Sequence, residues 1–261
     1  MDRLGEDLHR FWERYRPALR TRTRDTSACA LTFWRGQLTM DDQRNFANID
    51  RRVNRQDGQA LQHFMSESPW PAQAMFEQIQ HEIQAEPALH AGGAVVLDES
   101  PDVKAGTHSA GAGRQHNRRL GKIDLSQVAT CLTFVHPATG TWTLVDGELF
   151  LPEAWFTPAA APLRAEVGVP EDRTFATKVD LGRRMIDRAR VRGLPFEFVA
   201  CDELYGRNQA LRAHWDAVEL QYAAQVPAST LVYLQPPVVK VPRRRPAGRS
   251  GAVSTPIRSM R

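Results

Sequence analysis

A chain of 261 residues, 42% hydrophobic and 25% charged, has the make-up of a globular protein and enough material for one large domain or two modest ones. No apolar run approaches the roughly 18 residues of a membrane span. The charged start Met1-Asp2-Arg3-Leu4-Gly5-Glu6 lacks a signal core, and Cys29, Cys131 and Cys201 are too few and too scattered for a disulfide framework or zinc knuckle, so a cytoplasmic protein with no membrane partner is expected.

The net charge of +4 is unevenly placed. Lys240, Arg243, Arg244, Arg245, Arg249, Arg258 and Arg261 crowd the end of the chain with no acid among them. Setting them aside leaves residues 1–239 at about −3. A basic terminus of this kind is a solvated end or an attraction for phosphate backbone.

In chain order, Leu4, Leu8, Phe11, Trp12, Tyr15 and Leu19 recur at helical spacing and predict an amphipathic first helix. Thr39 and Asp42 have the spacing of a capping box and predict a helix start. Ser68-Pro69-Trp70-Pro71 predicts another, with Ala72, Met75, Phe76, Ile79 and Ile83 on one face. Pro87 and Gly92-Gly93 close this helical region, residues 1–90. From there the pattern turns to strands, over 95–98, 127–135 and 141–151. A helix over 178–192 follows, stopped by Gly193 and Pro195. A strand over 196–202, a helix over 205–217 and a short strand over 220–226 complete the pattern. This order predicts a mixed α/β sheet across residues 91–239. The proline-rich, basic residues 240–261 predict a disordered tail.

Two of these strands are apolar runs that end in a carboxylate, Asp98 and Asp202. An aspartate at a strand end commonly serves a turn or a helix cap. Side by side, however, the two strands would bring both charges to one sheet edge, where hard divalent cations bind and where an unpaired charge is costly to bury. Alternation along extended chain turns Glu99 away from the face of Asp98, and Glu203 away from that of Asp202.

Between the first two strands, residues 104–123 carry Lys104, Arg114, Arg118, Arg119 and Lys122, with His108 and His116, four glycines and no acid. The stretch is too long for a hairpin turn of about two to five residues. It predicts a flexible basic excursion beside the carboxylates, suited to nucleic-acid backbone. Phosphate-loop and dinucleotide motifs fail here, because His116 stands where each needs glycine. The histidines lack metal-ligand spacing, and Ser109 and Ser126 lack a nucleophile elbow.

Several blocks have recognisable wording. Leu97-Asp98-Glu99-Ser100, Lys104-Ala105-Gly106, His108-Ser109-Ala110-Gly111, Arg114-Gln115, Leu120-Gly121-Lys122 and Gln127-Val128 resemble one continuous block of the IS701-type insertion-sequence transposases. So do Leu149-Phe150-Leu151-Pro152-Glu153-Ala154-Trp155-Phe156, Gly168-Val169-Pro170, Phe175-Ala176-Thr177-Lys178 and Asp202-Glu203-Leu204-Tyr205-Gly206. Upstream, Leu61-Gln62-His63-Phe64-Met65-Ser66 and Ser68-Pro69-Trp70 resemble that family's helical N-terminal region. The resemblance runs from about residue 35 to about 242.

The resemblance implies a DDE transposase with an RNase H-like catalytic core, preceded by a helical region that contacts DNA. Asp98 and Asp202 match the first two catalytic aspartates. They would bind Mg²⁺ or Mn²⁺, two ions roughly 3.5–4 Å apart, for DNA strand cleavage and transfer at insertion-sequence ends. Lys104, Arg114, Arg118, Arg119 and Lys122 would contact the DNA, an assignment from charge and position.

The family's third acid, a glutamate on a later helix, has no match. After Asp202 only Glu203, Asp216 and Glu219 are acidic; Glu203 should face away from the site, and Asp216 and Glu219 sit in the wrong element. His116 and Arg118 also depart from the family, which favours an aromatic residue and a glycine there. The expectation is a truncated copy with an incomplete RNase H-like sheet, whose activity the residues alone leave open. The alternative is a non-catalytic DNA-binding regulator of a full-length transposase. Protein partners of both kinds stay open, a second copy or a full-length transposase.

Overall fold

The computed structural model describes residues 2–68, 70–232 and 257–258. Five helices come first: α1 (Asp2–Tyr15), α2 (Ser27–Thr39), α3 (Phe46–Val53), α4 (Gln59–Glu67) and α5 (Ala72–Ala85). The apolar stripe of α1 buries Leu8, Trp12 and Tyr15, and the Trp12 indole N–H donates to the Ser27 carbonyl at 2.7 Å. A groove of about 630 Å³ lined by Leu4, Leu8, Phe11, Trp34 and Leu38 runs along the seam where α1 packs on α2.

The capping box expected at Thr39 is absent. Thr39 ends α2, and its hydroxyl donates back to the Arg35 carbonyl at 2.7 Å. This back-bond is a local alternative to capping for threonine. The cap of α3 is Asn45, which accepts from the Asn48 N–H at 2.9 Å. α5 starts after Pro71, as the sequence predicts; Pro69 lies outside the described residues. α5 lies on the sheet, where the buried Gln80 amide donates to the Val145 carbonyl at 2.8 Å and Ile83 enters the main core.

The sheet is built from β1 (Ala94–Val103), β2 (Gly113–Asn117), β3 (Lys122–His136), β4 (Thr141–Phe150), β5 (Phe198–Cys201) and β6 (Gln221–Ala224). Its order is β2-β3-β1-β5-β6, with β4 also on β3. β1 runs antiparallel to β3 and parallel to β5, and β5 runs parallel to β6. This is the mixed sheet that the RNase H-like resemblance implies. On β3 the alternate residues from Ser126 to His136 are all buried, the period of a strand with one covered face.

Two further expectations need correction. The basic stretch 104–123 contains β2, paired with β3 from Gly113↔Ser126 to Asn117↔Lys122. The strand escapes a hydrophobic pattern because its inward residues are polar. Gln115 donates to the Gly111 and Ser126 carbonyls at 3.1 and 2.8 Å, and Asn117 donates to Ser126 Oγ at 3.0 Å. The helix expected over 205–217 is two, α8 (Glu203–Gly206) and α9 (Gln209–Ala217), because Asn208 caps the second by accepting from the Leu211 N–H at 2.9 Å.

Short α6 (Ala161–Glu166) and long α7 (Lys178–Val191) follow β4. α7 opens on a capping box between Thr177 and Asp180 and buries Leu181, Met185, Ile186 and Ala189. Gly182 lets it approach β1 closely, since a Cβ there would lie 2.6 Å from Leu97 Cδ2. Leu97 precedes Asp98, so this contact seats the strand end that carries the carboxylate. The tail expected over 240–261 lies outside the described residues except for Ile257–Arg258, which pairs with Leu231–Val232.

Candidate active site

The parallel register of β1 and β5 ends at Leu97↔Cys201. The next residues along the chain are Asp98, within β1, and Asp202, just past the end of β5, so both carboxylates stand at the same sheet edge. Behind them Val95, Leu97 and Val199 are fully buried, which fixes the strands against the core. Asp202 also caps α8: its Oδ1 accepts from the Leu204 N–H at 3.0 Å. Its other oxygen, Oδ2, is left to face outward.

That oxygen meets a guanidinium. Arg118 Nη1 donates to Asp202 Oδ2 and lies 3.4 Å from Asp98 Oδ1. One cationic nitrogen therefore faces both carboxylates. The side chains of Asp98, Asp202 and Arg118 are 58%, 14% and 45% exposed, so the cation stands at an open edge with its Asp202 partner largely buried.

The turn between β2 and β3 delivers Arg118. Fully buried Asn117 anchors it, accepting from the Leu120 N–H at 3.3 Å, and Gly121 takes the left-handed conformation (φ +64°) that closes the turn. Glu99 points the other way, as alternation predicts. It pairs with Lys178 at the start of α7, whose ammonium lies 5.2 Å from the Phe150 ring centre. Cys131 sits opposite Asp98 in register, and burial, then the nearby Asp98 charge, pushes its thiol up. Burial raises Cys201 to about 11. Both sulfurs stay protonated near neutral pH, leaving the edge to oxygen donors.

The other predicted basic residues lie on the same excursion. Lys104 pairs with Asp102 at 2.7 Å and Lys122 with Asp124 at 3.0 Å. These hydrogen bonds hold both carboxyls below the usual range. Arg114 and Arg119 are exposed, and act on Asp124 and Asp102 through charge alone. Sequence reasoning missed a second charged cluster. Asp146 and Glu148 on β4 both accept from Arg188 of α7, and Glu148 also from Arg173. The alternation of β4 gave a signal for it: Asp146 falls in the middle of an apolar strand.

The donor set suits a hard cation. Two carboxylates converge on one positive nitrogen, and Mg²⁺ is characteristically held by one or two carboxylates with waters and phosphate oxygens. Among the described residues no group of three His, Cys, Asp or Glu side chains is placed to hold a metal. Asp216, in α9, and Glu219, just after it, join no such group. Among the described residues, no helix is long and apolar enough to cross a membrane.

Comparison with known proteins bears on the family of the chain. A family model described as DDE superfamily endonuclease matches residues 14–257. A protein of Microchaete diplosiphon named as a probable transposase for insertion sequence element IS701 is 24% identical over 198 residues. The match covers 72% of this chain and 46% of that protein, so the chain spans about half the length of the curated relative.

Proposed function

The chain belongs to the DDE superfamily endonucleases, and on that premise we propose that it is an IS701-type transposase acting on DNA at insertion-sequence ends in the cytoplasm. Residues 91–239 form its catalytic core and residues 1–90 help engage DNA. The observation that carries this reading is the convergence of Asp98 and Asp202 on one cationic nitrogen.

Asp98 and Asp202 would hold a divalent ion, Mg²⁺ or Mn²⁺, which supplies charge neutralisation at a phosphodiester. The chain's own residues then do the positioning. The Glu99–Lys178 pair and the Gly182 contact keep the end of β1 in place. The α8 N–H of Leu204 fixes one oxygen of Asp202 and so aims the other. Arg114 and Arg119, exposed on the hairpin, lie along the DNA backbone; Lys104 and Lys122 contribute less because each already has an acid partner.

The test is nicking of supercoiled plasmid by the purified chain in Mn²⁺. Slow nicking is expected, lost in chelator and lowered at least about a hundredfold in Asp98→Asn and in Asp202→Asn, as for other groups that stabilise developing charge. Nicking that survives both substitutions, or that needs no metal, contradicts the assignment.

A further inference from the structure

We propose that Arg118 is a built-in counter-ion that occupies the cation position between Asp98 and Asp202 and must swing out before a divalent ion can enter. The inference rests on reading the two aspartates as that ion's ligands. Its basis is the shared contact: the same guanidinium nitrogen faces Asp98 Oδ1 and Asp202 Oδ2, the two oxygens turned toward the open edge.

Two negative groups on adjacent strands repel, and Asp202, 14% exposed, gains most from a positive partner. Arg118 supplies one charge against two, so the edge keeps a net charge of −1, and a divalent ion neutralises it fully. Both cations cannot share the place, because the ion would need the same two oxygens, Asp98 Oδ1 and Asp202 Oδ2, that the guanidinium nitrogen faces. Arg118 is free to leave. It hangs from a turn, its side chain is 45% exposed, and that turn is held by the Asn117 side chain and by backbone bonds, among them Gly121 N–H to the Arg118 carbonyl at 3.3 Å, so the guanidinium can move without undoing it. Once displaced, it joins Arg119 on the outer face of the hairpin.

The arrangement lowers apparent ion affinity by the fraction of molecules in which Arg118 is withdrawn. Mn²⁺ binding to the whole chain, followed by electron paramagnetic resonance and by the shift in melting temperature, tests it. Arg118→Ala and Arg118→Gln are expected to bind Mn²⁺ at least about tenfold more tightly than the unaltered chain, a withdrawn fraction of about one in ten or less. Arg118→Lys, which keeps the charge, and Arg119→Ala, which leaves the edge intact, stay near the unaltered affinity. If the unaltered chain binds Mn²⁺, loses it in Asp98→Asn, and Arg118→Ala binds no more tightly, the counter-ion role is wrong while the ion site stands. If none of these proteins binds Mn²⁺, the ion site and the counter-ion role fail together.

Discussion

Arg118 and Arg188 each stand between two carboxylates, and their two settings differ in almost everything else. At the sheet edge Arg118 spans Asp98 and Asp202 from a turn, open to water. Between β4 and α7, Arg188 spans Asp146 and Glu148 from a helix packed on the sheet, with Asp146 wholly buried and Arg173 closing the other side of Glu148. Burial pushes Glu148 up, yet the two guanidiniums outweigh it and hold the group below the usual range. Burial also acts on Asp146 and there prevails over Arg188, leaving its carboxyl raised. An arginine and two carboxylates thus make a fixed strut where the acid is sealed in, and an exchangeable contact where the arginine and one of the acids are open to water.

The largest effect should come from breaking the strut. Arg188→Ala leaves Asp146 buried without its counter-charge and is expected to destabilise the fold by about 3–5 kcal/mol in urea denaturation. The pH dependence follows from the raised carboxyl. A group that binds its proton more tightly folded than unfolded favours the fold less as pH rises from the unfolded value to the folded one. Removing Arg188 extends that window upward, so the gap between variant and unaltered chain should narrow as pH falls.

Next comes the packing behind the edge. Gly182→Ala forces a methyl against Leu97 and is expected to lose about 1–3 kcal/mol through overpacking. It should also weaken Mn²⁺ binding, because Leu97 seats Asp98. A substitution that destabilises without touching Mn²⁺ affinity would separate the core from the site. Smaller again is Arg118→Ala in chelator: Arg118 and Asp98 are open to water and only Asp202 is largely covered, so urea denaturation should show a loss of about 1–2 kcal/mol, well short of that for Arg188. An Arg118 loss equal to that of Arg188 would erase the contrast between the two arginines. The smallest effect is on DNA affinity. Arg114→Ala and Arg119→Ala should each reduce the salt slope by about 0.9 on duplexes of any sequence, and Lys104→Ala and Lys122→Ala by less.

Much of this was legible from residues alone. Apolar runs ending in Asp98 and Asp202 located the edge, and alternation sent Glu99 to the opposite face, where Lys178 receives it. β2 was hidden because Gln115 and Asn117 bury amides where a pattern search looks for methyl groups. The break between α8 and α9 had a signal in Asn208, outweighed by the helical spacing of Leu211 and Trp215. Thr39 misled because its hydroxyl can bond backward as readily as it can cap. Neither arginine bridge was legible: Arg118 reaches Asp202 across 84 positions and Arg188 reaches Asp146 across 42, separations that only the folded sheet closes.

The most direct test is an anomalous-difference map from crystals of the chain soaked in Mn²⁺. The expected result is a peak touching both Asp98 and Asp202 with the Arg118 side chain turned out to solvent. A map with Arg118 still between the two carboxylates and manganese bound only elsewhere would contradict the account.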